Sequence, residues 1–166
     1  GARTLNQVVP AALAQLPVAA RPLVRHQAGE RTLETAKAAY ANAGVKADIT
    51  AFIADMAQAY AWCDLVICRA GALTVSELAA AGVPAIFVPL PHAVDDHQTK
   101  NAAFLTQAGA ARLMPERTLT AATLADTLNE LLAERAELLA MANAARAQGR
   151  PNAAERVAQV CLEVAA

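Results

Sequence analysis

Short apolar runs alternate with helical segments along nearly the whole chain, and this alternation limits the fold more than any other feature of the sequence. Residues 65–68 and 85–88 contain β-branched side chains and are typical of strands buried on both faces of a parallel sheet. The order predicts an α/β fold, a Rossmann-like doubly wound parallel sheet, with residues 1–166 as a single domain. The predicted strands are residues 23–26, 46–52, 65–68, 85–88 and 111–114, and the predicted helices are residues 5–16, 30–43, 55–62, 73–81, 98–108, 120–133 and a last one after Pro151.

Composition and charge exclude several classes of protein. The chain has 166 residues and a net charge of −1, which is too little positive charge for a nucleic-acid surface. No apolar run approaches the roughly 18 residues that cross a membrane, and we expect no secretory signal. The cysteines Cys63, Cys68 and Cys161 are odd in number and lack CxxC spacing. We therefore expect buried thiols in a reducing cytoplasm rather than a disulfide framework or a zinc site.

The loop after residues 65–68 is the first candidate for chemistry, because ligands of such sheets bind at the carboxyl ends of the strands. Small residues follow the strand and a helix begins, so free N–H groups and the helix dipole favour an anion such as phosphate. Glu77 could accept hydrogen bonds from both hydroxyls of a ribose. It also lies three residues after Thr74, as in a capping box, and pattern alone favours that structural interpretation.

The loop after residues 85–88 is the second candidate, because it is unusually polar for a segment that leaves a buried strand. His97, Gln98 and Asn101 could face a polar ligand such as a sugar, since amides both donate and accept hydrogen bonds. A capping box between Asp95 and Gln98 is the structural alternative. A metal site is not expected, because the candidate ligands match no standard spacing. Those candidate ligands are His92, Asp95, Asp96 and His97.

Other notable side chains are expected to be structural. Tyr60 and Trp62 are more typical of a core than of a stacking platform. Pro10 is expected to kink the first helix or to mark its true start. The last helix has an apolar stripe at helical spacing, and we expect that stripe to be buried rather than to bind a membrane. The stripe consists of Ala153, Val157, Val160, Cys161 and Val164.

Four segments taken together resemble the MurG family, the UDP-N-acetylglucosamine (UDP-GlcNAc) transferases of peptidoglycan synthesis. Residues 1–6 (GARTLN) are similar to the end of the family's GGSxGAxxLN loop, and residues 52–57 (FIADMA) are similar to its F-I-x-D-M segment. Residues 69–77 (RAGALTVSE) and 96–102 (DHQTKNA) follow in the expected order. The resemblance covers essentially the whole chain.

The resemblance implies that the chain is the C-terminal, donor-binding half of a two-domain GT-B glycosyltransferase. Such an enzyme transfers GlcNAc with inversion from UDP-GlcNAc to lipid I, the undecaprenyl-diphospho-muramoyl-pentapeptide, and produces lipid II. The acceptor domain, with the catalytic base and the membrane-facing patch, would be absent here, as would the first strand of the sheet. We therefore expect the chain alone to be soluble and to bind donor without turnover. The whole enzyme is expected to be a peripheral protein on the cytoplasmic side of the inner membrane.

The resemblance also assigns roles in the donor site. The backbone of Ile53 would meet the uracil, with Met56 nearby. Glu77 would hold the ribose diol, and Gln98 with His97 would bind the GlcNAc hydroxyls. Arg69 and Asn101 would shape the pocket, and the N–H groups of residues 72–74 would meet the diphosphate. The expected substrate-binding residues are Ile53, Met56, Ala72, Leu73, Thr74, Val75, Ser76, Glu77, His97, Gln98 and Asn101.

No catalytic residue, cofactor or metal is expected in this half, and nucleic acid is not an expected partner. Two alternatives remain open. One is another UDP-sugar enzyme, such as a glycolipid glycosyltransferase or a GlcNAc epimerase, and the loop of Gln98 would distinguish it because that loop chooses the sugar. The other is a non-catalytic module that binds a nucleotide sugar.

Overall fold

The computed structural model describes residues 2–91 and 96–165, in which short strands alternate with helices. This confirms the predicted α/β class. The strands are β1 (Arg25–Gln27), β2 (Asp48–Thr50), β3 (Val66–Cys68), β4 (Ala85–Phe87) and β5 (Ala111–Leu113). The helices are α1 (Arg3–Gln15), α2 (Leu33–Asn42), α3 (Met56–Trp62), α4 (Ala72–Ala81), α5 (His97–Thr106), α6 (Ala121–Ala133), α7 (Arg135–Gln148) and α8 (Ala153–Ala165).

The strands form two parallel sheets. β1 pairs with β2, and β3, β4 and β5 form a second sheet with β4 at its centre. Within the described residues the two sheets are not paired with each other. β4 is buried at all three positions, as predicted, but β3 is only half-buried. The expectation of full burial was wrong for β3 because, in this part of the chain, β4 covers only one of its edges.

The largest core cluster lies where α1 packs against α6. Leucines 5 and 13 of α1 meet leucines 124, 128 and 131 of α6, and all of these side chains are buried. Pro10 lies inside α1, so it does not mark the start of this helix, which begins at Arg3. Burial of several large aliphatic side chains stabilises the fold by about 1.5–3 kcal/mol each, so this interface is a major source of stability.

Helix α7 was not separated from its neighbours by sequence patterns, yet it anchors α4. Arg146 donates a hydrogen bond from Nη1 to the carbonyl of Ala80 at 3.0 Å, at the negative end of the α4 dipole. Gly82 ends α4 with φ 71°, a left-handed conformation that glycine adopts without strain. A Cβ at Gly149 would lie 2.9 Å from the carbonyl oxygen of Ala79, so this close approach requires glycine. Helix α4 is therefore held at its C-terminal end.

Helix α8 does not bury its apolar stripe, and this prediction was wrong. Val157, Val160, Cys161 and Val164 are exposed, Val164 to 83% of its surface. An amphipathic pattern shows that one face is apolar, but it does not show that the partner lies in the same chain. The expectation of three buried thiols was also wrong, because Cys161 is exposed for the same reason and Cys63 and Cys68 are only half-buried. No described helix is long and apolar enough to span a membrane.

Candidate functional site

The loops at the carboxyl ends of β3 and β4 are tied together by Arg69. Its Nη1 donates hydrogen bonds to the carbonyls of Val88 at 2.9 Å and Pro89 at 3.0 Å. Its Nη2 forms an ion pair with the carboxylate of Glu116. The other oxygen of Glu116 accepts a hydrogen bond from Thr4 Oγ1 at 2.9 Å, so the start of α1 joins the same network. Arg69 therefore fixes the relative positions of three segments around the site.

The amino end of α4 presents its first backbone N–H groups without a side-chain cap. Gly71 is the N-cap and supplies no side chain, and Ala72 and Leu73 are exposed. These orphan N–H groups and the helix dipole suit an anion. Val75 differs from these residues, because its side chain is buried and its N–H donates to the Gly71 carbonyl at 3.0 Å. Ser76 donates its hydroxyl to the Ala72 carbonyl, so the anion-binding capacity lies at residues 72–74.

Glu77 does not cap the helix, so the capping-box interpretation was wrong. Helix α4 begins at Ala72, which makes Thr74 its third residue rather than its N-cap. Glu77 Oε2 instead accepts a hydrogen bond from the phenol of Tyr60 in α3, at 2.9 Å. Burial, followed by this hydrogen bond and the charge of Glu77, raises the pKa of Tyr60 above its usual range. The phenol therefore stays protonated and donates to the carboxylate at neutral pH.

The segment that the resemblance assigns to uracil lies between β2 and α3. Asp55 caps α3 by accepting a hydrogen bond from the Gln58 N–H at 2.8 Å, and Met56 is half-buried at the start of the helix. The N–H of Ile53 donates to Gln27 Oε1 at 2.9 Å. Sequence patterns gave no sign of this contact, because Gln27 lies on β1, far away along the chain. A base that binds at Ile53 would have to displace Gln27 to reach the N–H.

The segment that the resemblance assigns to the sugar forms the start of α5. Its N-cap is Asp96, so Gln98 is the second helical residue and does not occupy the capping-box position. Gln98 Oε1 accepts the Leu90 N–H at 2.9 Å, which leaves the amide nitrogen as its hydrogen-bond donor. Asn101 donates to the Ala70 carbonyl at 3.1 Å and so joins α5 to the loop before α4. His97 is exposed beside Gln98.

The metal candidates fall partly on residues that the structure does not describe. His92 and Asp95 lie outside the described residues. Among residues 2–91 and 96–165, no group of three histidine, cysteine or acidic side chains is placed to hold a metal ion.

The two aromatic residues of α3 have different environments. Tyr60 packs against the core cluster around Val75 and Leu78, as expected. Trp62 is 40% exposed, so the expectation of a core position was wrong for this residue, and the guanidinium of Arg25 lies 4.5 Å from its ring centre. This geometry is a cation–π contact, and it connects α3 to β1.

A buried polar network supports the start of α1 and was not predicted. Asn6 is 2% exposed and donates hydrogen bonds to the Ala28 carbonyl and to Thr32 Oγ1. Its Oδ1 lies 2.8 Å from His26 Nε2, and His26 Nδ1 lies 3.0 Å from the hydroxyl of Tyr40. Because an amide oxygen only accepts, Nε2 carries the proton and Nδ1 accepts from Tyr40. Burial lowers the pKa of His26, which favours this neutral form.

The chain is similar in sequence to a known domain family and to named bacterial proteins. The family model for the glycosyltransferase family 28 C-terminal domain matches residues 1–157. A protein of Marinobacter nauticus is 59% identical over 99% of this chain, and one of Pseudomonas aeruginosa is 55% identical over 99%. Both are named UDP-N-acetylglucosamine–N-acetylmuramyl-(pentapeptide) pyrophosphoryl-undecaprenol N-acetylglucosamine transferase. The chain covers 46% of each of these relatives, which is about half of their length.

Solved structures agree with these matches. The crystal structure of Acinetobacter baumannii MurG matches with a TM-score of 0.91 and 46% identity, over 98% of this chain and 49% of that chain. The glycosyltransferase VinC, solved in complex with dTDP, matches with a TM-score of 0.61 and 18% identity, over 86% of this chain and 32% of that chain. At that identity the second likeness bears on the fold alone.

Proposed function

The chain belongs to the glycosyltransferase family 28 C-terminal domains, and from that premise we propose that it is the donor-binding half of a MurG-type GlcNAc transferase. The observation that carries the proposal is the arrangement of α4. Its uncapped N-terminus lies at the carboxyl end of β3, and the carboxylate of Glu77 follows within the same helix. An anion site followed by a fixed acceptor suits a nucleoside diphosphate, whose phosphates and ribose diol require these two features.

In this proposal, the nucleotide extends from α3 to the start of α4. The uracil meets the backbone of Ile53, with the side chain of Met56 beside it. The ribose hydroxyls donate to Glu77, and the diphosphate accepts from the N–H groups at residues 72–74. Support for this path comes from the Tyr60–Glu77 hydrogen bond, which brings the proposed base and ribose segments together.

The GlcNAc is assigned to the start of α5, where Gln98 and His97 bind its hydroxyls. Two contacts support this assignment. Asn101 joins α5 to the loop before α4, and Arg69 holds the strand ends beside both loops. The sugar on the diphosphate would therefore lie near Gln98.

The proposed reaction is an inverting displacement. The acceptor hydroxyl attacks the anomeric carbon, the bond from that carbon to the β-phosphate oxygen breaks, and UDP leaves. The N-terminus of α4 stabilises the charge that builds on the departing diphosphate. The proton of the acceptor passes to a base in the other half of the enzyme, which also binds lipid I and contacts the cytoplasmic face of the inner membrane. We therefore expect this chain alone to bind donor without turnover.

Calorimetric titration with UDP, UDP-GlcNAc and UDP-glucose tests the proposal. Glu77→Ala should weaken the binding of all three ligands, whereas Gln98→Ala should weaken the binding of only the two nucleotide sugars. Each loss should be about ten- to a hundred-fold. Glu34→Ala is the matched control, because Glu34 pairs with Lys37 on the surface of α2 and should leave all affinities unchanged. A folded wild-type chain that binds none of the three ligands would contradict the proposal.

A further inference from the structure

The contact between Tyr60 and Glu77 joins two helices that the proposed site uses for different parts of the nucleotide. Tyr60 lies near the end of α3, and the Asp55 cap at the other end of that helix follows the Ile53 segment closely. Glu77 lies in α4, beyond its anion-binding N-terminus. The 2.9 Å hydrogen bond between the two side chains therefore couples the proposed base-binding segment to the proposed ribose-binding carboxylate.

Glu77 can accept hydrogen bonds from a ligand while Tyr60 donates to its carboxylate. An ionised carboxylate has about four acceptor positions on its two oxygens. Tyr60 uses one position on Oε2, so acceptor positions remain on both oxygens for the two hydroxyls of a diol. Both side chains are half-buried rather than enclosed, so the carboxylate can be reached. The tyrosine ring itself is fixed by its packing against the core cluster of α4.

We propose that Tyr60 is a positioning residue that fixes the carboxylate of Glu77 in the orientation that accepts the ribose diol. This inference rests on the proposed function of Glu77. A glutamate side chain that is already fixed loses less rotational freedom when ligand binds, which strengthens binding. In this role Tyr60 acts on the nucleotide only through its hydrogen bond to Glu77, so its whole effect on affinity passes through that carboxylate.

A pair of ligands separates this role from general structural support. The titration compares UDP with 2′,3′-dideoxy-UDP, which lacks both ribose hydroxyls. The wild-type chain should bind UDP about ten- to a hundred-fold more tightly than the dideoxy ligand. Tyr60→Phe should weaken UDP binding roughly five- to twenty-fold and leave the affinity for the dideoxy ligand unchanged. In a Glu77→Ala background, the same substitution should have no effect on either ligand.

Tyr40, the other tyrosine of the chain, provides the matched control. Tyr40→Phe also removes one phenol hydroxyl, but that hydroxyl hydrogen-bonds to His26 and not to Glu77. It should leave the preference for UDP over the dideoxy ligand unchanged.

The outcomes of this experiment are distinct. If Tyr60→Phe weakens both ligands equally, or weakens neither, the positioning role is refuted while the proposed function stands. If the wild-type chain binds both ligands equally well, the ribose role of Glu77 fails and the inference fails with it. If the folded wild-type chain binds no UDP, the proposed function itself is refuted.

Discussion

Substitution of Arg69 by methionine should loosen the whole carboxyl edge of β3 and β4, because one guanidinium serves three partners. It donates to the carbonyls of Val88 and Pro89 and forms an ion pair with Glu116. Methionine keeps most of the aliphatic stem but removes all of these donors. The carboxylate of Glu116 would then remain in place with Thr4 as its neighbour.

The expected loss of unfolding free energy depends on how deeply the Arg69–Glu116 ion pair is buried. Breaking a buried ion pair from one side costs about 3–5 kcal/mol, while an exposed pair contributes at most about 1 kcal/mol. The side chains of Arg69 and Glu116 are 21% and 20% exposed, so we expect Arg69→Met to cost about 2–4 kcal/mol of unfolding free energy. Glu116→Gln keeps an acceptor for Thr4 but leaves the Arg69 guanidinium with only its two carbonyl partners, so it should cost about 1–3 kcal/mol. The double variant should be about 1–2 kcal/mol more stable than the sum predicts, because it removes the uncompensated charge.

Urea unfolding, followed by circular dichroism, measures all four chains of this double-mutant cycle. Arg112→Met is the matched control, because Arg112 pairs with Glu137 at the surface, where the two side chains are 48% and 32% exposed. It should cost no more than about 1 kcal/mol. Two outcomes would refute the reasoning. One is that the effects of the two substitutions add to within about 0.3 kcal/mol. The other is that Arg69→Met costs no more unfolding free energy than Arg112→Met.

Two further predictions concern stability. The pKa of His26 is lowered from 6.5 by burial, so the folded chain binds this proton less readily than the unfolded chain. Its contribution to stability is therefore complete above pH 6.5 and is lost as the pH falls through the folded pKa. Urea midpoints at pH 7.5 and 5.5 should differ less in His26→Gln than in the wild type, and an equal pH dependence would refute this. Truncation after Gly149 should leave the unfolding free energy nearly unchanged, because the described side chains of α8 are exposed. Leu131→Ala, at a fully buried site, should cost about 2–5 kcal/mol, and a truncation that costs as much would contradict the exposure of α8.

The elements of this fold could be predicted wherever local chemistry marks them. Strand β4 is an apolar run that ends just before two prolines, and α4 ends at a glycine with positive φ, so both were found within a few residues. Helix α7 follows α6 with only Glu134 between them. The sequence of α7 is rich in alanine, and its buried residues are Met141 and Ala145. Its apolar stripe is too weak to separate it from α6 by periodicity.

The candidate site was less predictable, because its contacts join residues that are distant in sequence. The hydrogen bond from Tyr60 to Glu77 spans 17 residues, and that from Ile53 to Gln27 spans 26. Residue spacing within one helix carries no information about either contact. The capping-box error at Glu77 has the same origin. The local pattern offered a partner within α4, whereas the folded chain supplies a better donor from α3.

Two groups of the proposed donor site, the Glu77 carboxylate and the Ile53 N–H, already have partners within the chain, and this affects affinity and specificity differently. Glu77 can accept a diol without releasing Tyr60, because a carboxylate has acceptor positions to spare. The N–H of Ile53 can donate only once, so a base that uses it must displace Gln27. Such an exchange of one hydrogen bond for another gains little net affinity, but a base that takes the place of Gln27 without offering an acceptor would leave the N–H unpaired. The ribose contact should therefore contribute mainly to affinity, whereas the Ile53 contact should contribute mainly to the choice of base.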